Sequence, residues 1–126
     1  MVCTGGEPLL QLDTAAIDAL HEEGFEVGVE SNGTIRAPDG IDWLCISPKA
    51  AAELVQRSGQ ELKLVYPQPE PEAQPDRFEE LQFDHFFLQP LHDAQLERNI
   101  RATVDYCLDN PKWRLSLQTH KIIGID

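Results

Sequence analysis

The sequence predicts an incomplete domain of the parallel α/β class. Short apolar runs of strand length alternate with stretches of helical character, the pattern of βαβ units. The first residues, Met1-Val2-Cys3-Thr4, read as the end of a strand, so earlier sequence is expected to be missing. The length of 126 residues is one domain's worth, yet well short of the roughly 200–250 residues of a closed α/β barrel.

Each element follows from local chemistry. After the opening strand comes Gly5-Gly6-Glu7-Pro8. Asp13 is placed to cap a helix from Thr14 to Glu23, with Ile17 and Leu20 on its apolar edge and Gly24 as its stop. Phe25 to Glu30 alternates as a strand and ends in the turn-like Ser31-Asn32-Gly33-Thr34. Pro38-Asp39-Gly40 is a second turn. Asp42 to Ser47 is a short apolar strand ended by Pro48, and Lys49 to Arg57 reads as a short helix closed near Gly59. The crossover between Val29 and Ile46 has no evident helix.

Glu61 to Tyr66 is the next strand. The segment at about 67–76 is rich in Pro and Glu, and is expected to be an extended, exposed insertion loop within a single domain spanning 1–126. Asp84 to Gln89 is a strand stopped by Pro90. Asp93 then caps the clearest helix, whose stripe Leu96, Ile100, Val104, Cys107 and Leu108 predicts a core-facing side. Asn110-Pro111 ends it, Trp113 to Leu117 forms the last strand, and Gln118 to Lys121 leads into the apolar tail Ile122–Ile125.

Composition excludes several classes. The formal net charge is −12, with no basic patch, which argues against a surface that tracks nucleic-acid phosphates. No apolar run reaches membrane-spanning length. Cys3, Cys45 and Cys107 are an odd number, widely spaced within apolar runs, and no signal peptide precedes them. They are expected to be free thiols in a reducing cytoplasm.

Ligands of parallel sheets collect at the carboxyl ends of the strands. Here those ends carry Thr4-Gly5-Gly6-Glu7, Glu30-Ser31-Asn32-Gly33, Ser47-Pro48-Lys49, Gln89-Pro90 and Gln118-Thr119-His120. Two glycines after a strand let backbone approach a ligand closely, and a neighbouring carboxylate suits an amine. The same Gly-Gly also reads as a plain tight turn, and Ser47-Pro48 and Gln89-Pro90 also read as simple strand terminators. His120 is read either as a ligand contact or, slightly preferred, as a structural histidine. His21 and His92 read as solvated.

Thr4-Gly5-Gly6-Glu7-Pro8 resembles the Gly-Gly-Glu motif of radical S-adenosylmethionine enzymes. Downstream, Glu30-Ser31-Asn32-Gly33-Thr34, Ile46-Ser47-Pro48-Lys49, Glu61-Leu62-Lys63, Leu88-Gln89-Pro90 and Trp113 to Lys121 occur in the order of one branch, 7-carboxy-7-deazaguanine synthase. The resemblance covers essentially the whole chain. It implies a partial parallel (β/α)₆ barrel, here N-terminally truncated. Gly5, Gly6 and Glu7 would contact the methionine end of S-adenosylmethionine, joined by Ser47, Pro48 and Lys49. Leu88, Gln89 and Pro90 would line the adenosine side. Thr4 would touch a pterin substrate, and Asp126 would reach it through the terminal carboxylate.

The implied reaction is a radical-mediated ring contraction of 6-carboxy-5,6,7,8-tetrahydropterin to 7-carboxy-7-deazaguanine, a lyase step of queuosine biosynthesis in a cytoplasmic homodimer. The family also uses a 4Fe–4S cluster held by three closely spaced cysteines, and Mg²⁺. This chain has no cysteine trio, and the family places both sets of ligands upstream of the Gly-Gly-Glu strand. The chain alone is therefore expected to be inactive. It is read as a fragment of a synthase or as an internally started gene product. The alternative is a cluster-less remnant that binds a ligand or partner without turnover.

Overall fold

The computed structural model describes residues 1–125. Its centre is one six-stranded sheet in the order β1-β2-β3-β4-β5-β6, with every neighbouring pair parallel. The strands are β1 (Val2–Cys3), β2 (Gly28–Ser31), β3 (Trp43–Ile46), β4 (Ser58–Tyr66), β5 (Gln82–Pro90) and β6 (Trp113–Leu115). Helices α1 (Thr14–Glu22), α2 (Leu96–Asp109) and α3 (Thr119–Ile122) complete the regular structure, with 3₁₀ turns at Pro8–Leu10, Pro71–Ala73 and Pro75–Arg77. A consecutive parallel order is what an opened α/β barrel presents, in agreement with the predicted class.

The two sheet faces differ. Val29, Leu44, Ile46, Leu62, Leu64, Phe86 and Leu88 alternate along their strands onto the helix-covered face and join Ile17, Val27 and Trp113 in one core. Burying each such side chain is worth about 1.5–3 kcal/mol. The opposite face carries Glu30, Trp43, Cys45, Glu61, Lys63, His85 and Phe87, all at least partly exposed except for Cys45, whose thiol is buried. No helix among the described residues is long and apolar enough to cross a membrane.

Helix α1 starts as the sequence predicts, with the Asp13 carboxylate accepting from Ala16 N at 2.8 Å. Elsewhere the structure corrects the sequence reading. Lys49–Arg57 is not a helix: only one turn forms, with Ala52 N donating to Lys49 O at 3.1 Å. Val55 N and Gln56 N instead donate to Gly33 O, each at 2.9 Å. A helix there would withdraw both donors and the Leu54 side chain that lies against Gly33.

The segment at about 67–76 is not simply extended and exposed. Its two 3₁₀ turns bury Ala73 and Pro75, and the Gln74 amide spans the loop to Gln68 O at 2.7 Å and Glu70 O at 3.0 Å. The Tyr66–Pro67 peptide bond is cis. Asp93 does not cap α2 directly. It sits one turn earlier, where its carboxylate accepts from Gln95 N at 2.8 Å and from the Asn99 amide at 2.9 Å. His21 is paired and not merely solvated, with Nε2 2.8 Å from Asp42 Oδ2.

The face of α2 is also rotated from the expected stripe. Thr103 is fully buried and Asn99 is 6% exposed, whereas Leu108 is 75% exposed. Leu96, Ile100 and Val104 are half-buried at the flank. The polar pair is tolerated because it is satisfied: Asn99 Nδ2 also donates to Leu91 O at 2.9 Å, and Thr103 Oγ1 donates to Asn99 O at 2.7 Å. Tyr66 and Tyr106 then meet across β4 and α2 as a tilted ring pair with centroids 5.1 Å apart.

Candidate functional site

Because all six strands are parallel, their carboxyl ends share one rim. At the end of β1 the chain turns through Gly5 (φ 80°) and Gly6 (φ 55°), both left-handed, a conformation that side chains with a Cβ adopt only at a cost. A Cβ at either glycine would meet no atom within 4 Å, so the space beside this turn is open. An open recess of about 510 Å³ lies there, lined by Thr4, Gly5, Gly6 and Glu7 with Leu12 and Ala16 of the α1 approach. Pro8 fixes the first position of the following 3₁₀ turn, where its missing N–H costs nothing.

Glu7 ties this turn to the neighbouring strand end. Its Oε1 accepts from Leu9 N at 3.0 Å and from the Ser31 hydroxyl at 2.9 Å, and its Oε2 accepts from Asn32 N at 2.9 Å. Ser31 Oγ accepts in turn from Gly33 N at 3.0 Å. Asn32 Oδ1 then takes both Thr34 N (2.9 Å) and Thr34 Oγ1 (2.7 Å), a side-chain turn that seals the loop. On the far side, Ser47 N donates to Ser31 O at 2.8 Å. Thus Thr4–Glu7, Ser31–Gly33 and Ser47–Lys49 form one hydrogen-bonded stretch of rim. Lys49 is exposed and makes no ion pair among the described residues.

The third predicted stretch divides. Gln89 lies partly exposed on the face opposite the helices. Leu88 is 0% exposed in the helix-side core, and its carbonyl accepts from Ser116 N at 2.8 Å. Its side chain is therefore not available to a ligand on the open face. Pro90 is buried too, at the floor of a small cavity of about 60 Å³ between α2 and α3. His120 is exposed in α3 and has no side-chain hydrogen bond among the described residues. Asp126 lies outside the described residues.

Apart from Thr4, the sequence reading assigned no role to a polar row that runs across the open face. Thr4 Oγ1 donates to Glu30 Oε2 at 3.5 Å, and Lys63 Nζ pairs with Glu30 Oε1 at 3.4 Å. Trp43 Nε1 donates to Glu61 Oε2 at 3.3 Å, and the Trp43 ring stacks on His85 at 5.8 Å and 16°. Burial opposes the Lys63 ammonium, but Cys45, Glu30 and Glu61 outweigh it and hold its pKa above the ordinary lysine value. Burial pushes the Cys45 thiol up to about 12, so at neutral pH it is uncharged and the two carboxylates supply the field. The signal in the sequence is the polar residue on the alternate positions of otherwise apolar strands: Glu61 and Lys63, then His85 and Gln89 on either side of Phe87.

Among the described residues no group of three or more His, Cys, Asp or Glu side chains could hold a metal ion. Cys3, Cys45 and Cys107 are free and lie on β1, β3 and α2. They do not converge, so this donor set does not fit an iron–sulfur cluster. The glycine turn does fit a small ligand that needs backbone N–H groups at close range.

No family model matches the sequence. Individual relatives do. A 7-carboxy-7-deazaguanine synthase of Bradyrhizobium diazoefficiens is 60% identical over 125 residues, which are 99% of this chain and 59% of that protein. Synthases of the same name from Caulobacter vibrioides and Bordetella pertussis are 58% and 55% identical over the same shares. Among solved structures, QueE from Escherichia coli superposes with a TM-score of 0.69 at 27% identity, covering 93% of this chain and 55% of that one. The chain is a homologue of the 7-carboxy-7-deazaguanine synthases, matched over nearly all its own length and spanning about three-fifths of theirs.

Proposed function

We propose that this chain is the C-terminal part of a 7-carboxy-7-deazaguanine synthase and contributes the S-adenosylmethionine-binding rim of that enzyme. The observation that carries the reading is the Gly5–Gly6 turn, left-handed at both residues, open on its outer side and bonded through Glu7 and Ser31 to Ser47. In this reading Gly5 and Gly6 offer backbone groups to the methionine end of the cofactor. Ser47, Pro48 and Lys49 bound it from the neighbouring strand end, and Lys49 offers a cation to its carboxylate. Gln89 faces the adenosine side from β5. Thr4 stands at the substrate side, where its hydroxyl already leans on Glu30. When bound, S-adenosylmethionine supplies the radical that starts the ring contraction of the pterin. The residues of this chain bind, orient and shield.

The cluster and Mg²⁺ ligands are assigned to polypeptide upstream of this chain, since its own cysteines do not converge. The free edge of β1, paired only with β2 among the described residues, is then the edge that further chain or a second protomer covers. We assign the working enzyme to the cytoplasm as a homodimer that serves queuosine synthesis. The second reading is a cluster-less binding module, favoured by the same dispersed cysteines. The intact mass of the native product, purified from its source cell, separates the two. A mass well above 14.2 kDa with a cysteine trio in the additional peptides supports the synthase. A mass equal to this chain overturns it in favour of the module.

A further inference from the structure

The Glu7 carboxylate offers about four lone-pair positions. Three are already filled, by Leu9 N, Ser31 Oγ and Asn32 N at 2.9–3.0 Å. Two of these donors come from the β2 end, more than twenty positions along the chain. Ser31 is 4% exposed, and its hydroxyl and carbonyl pass the connection on to Gly33 N at 3.0 Å and Ser47 N at 2.8 Å. Gly33 O in turn holds Val55 and Gln56 of the β3–β4 crossover. An acceptor so fully engaged has little left for a ligand's amine, although its place beside two glycines invites that role.

We propose that Glu7 is a positioning residue. It sets the Gly5–Gly6 turn at a fixed distance from the Ser31–Gly33 loop and from Ser47, and acts on a bound cofactor through that spacing rather than by ligating the amine. The proposal rests on the cofactor-rim reading above. Glutamine keeps the shape of Glu7 but places an NH₂ group against at least one of the three donors, whichever way its amide is turned. Ser31→Ala removes one link and leaves the carboxylate in place.

The experiment has two arms, both on the chain as it stands. The first follows amide hydrogen exchange by NMR without ligand. Glu7→Gln is expected to speed exchange about tenfold at Leu9 or at Asn32, whichever meets the NH₂ group, the size of one charge-assisted bond lost, while β4 and β5 amides hold their rates. Ser31→Ala is expected to speed Gly33 alone. The second arm measures binding of S-adenosylhomocysteine and of 5′-methylthioadenosine, which lacks the amine and carboxylate. Positioning predicts that Ser31→Ala, which leaves the carboxylate in place, weakens S-adenosylhomocysteine as Glu7→Gln does, while 5′-methylthioadenosine, which lacks the end held by the glycine turn, is unmoved by either. A loss of S-adenosylhomocysteine binding in Glu7→Gln with none in Ser31→Ala, or unmoved amide rates, overturns the proposal. An unaltered chain that binds neither nucleoside overturns the cofactor reading, and with it any action of Glu7 on that ligand. The amide arm still reports separately whether the loops are tied.

Discussion

Replacing Gly33 by alanine tests the packing of the rim, with Gly24→Ala as its internal control. Both glycines are left-handed, at φ +76° and +81° respectively. The strain of placing a Cβ there is thus common to both variants, about 1–2 kcal/mol. Their surroundings differ. A Cβ on Gly24 meets nothing within 4 Å, whereas one on Gly33 would lie 2.6 Å from Leu54 Cδ1 and 2.7 Å from Ile46 Cγ2. Ile46 is fully buried between β2 and β4, so it has nowhere to retreat. Overpacking of that kind costs about 1–3 kcal/mol more. Gly33→Ala should therefore be less stable than Gly24→Ala by about 1–3 kcal/mol in urea denaturation, roughly 0.5–1.5 M in midpoint for a slope near 2 kcal/mol/M. Leu54 is the softer neighbour, and its rotation sets the lower bound. Two variants that agree within about 0.5 kcal/mol would refute the claim that the Ser31–Gly33 loop is pressed onto the core.

Three further outcomes follow from other contacts. Trp113→Ala should cost about 3–5 kcal/mol, because the indole is 2% exposed, meets Phe86 edge-on at 5.3 Å and donates to Glu79 Oε1 at 2.9 Å; thermal unfolding reads it. Among the three thiols, Cys45 should be the last alkylated by iodoacetamide at pH 8, since burial raises its pKa to about 12 and leaves it 2% exposed; peptide mass mapping over time checks the order. Asp42 is held below its ordinary value of 3.8, first by the Val27 N–H and then by His21. A depressed carboxylate stabilises above its unfolded pKa, so that contribution is lost as pH falls below 3.8 toward the folded value. Asp42→Asn should flatten the acid side of a stability–pH curve in that window, and an unchanged acid slope would remove Asp42 as its source.

The legible parts of this fold were those fixed by local chemistry. The Asp13 cap, the glycine turn after β1 and the existence of all six strands stand in the sequence, as does the crossover without a helix between β2 and β3. The errors share a physical origin. Lys49–Arg57 has helical composition but gives its amides to a carbonyl of another loop, a long-range bond that no local window contains. The α2 stripe Leu96, Ile100, Val104, Cys107 and Leu108 follows side-chain polarity alone. Asn99 and Thr103 are buried because backbone carbonyls nearby accept their protons, which a hydropathy pattern does not register. At the site, Thr4 to Glu7 and Ser47 to Lys49 were found as motifs, and the structure brings them onto one rim through Ser31, whose role a turn-like sequence concealed. Strand alternation sends the Leu88 side chain to the core while Gln89 faces outward, a division that a run of three adjacent residues does not display.

The consecutive order of the strands has a consequence for how the chain is made. Every strand from β2 onward pairs with the one synthesised just before it. No strand is separated from its partner by another strand, and the entropic cost of each closure grows only slowly with the length of the connection. The sheet can therefore lengthen strand by strand as the polypeptide leaves the ribosome. Its advancing edge is a bare row of peptide groups until the next strand arrives, and the acidic, proline-rich stretch follows β4, whose ladder with β5 is the longest in the sheet. Charge and proline are the residue types that discourage such an edge from templating on a neighbouring chain.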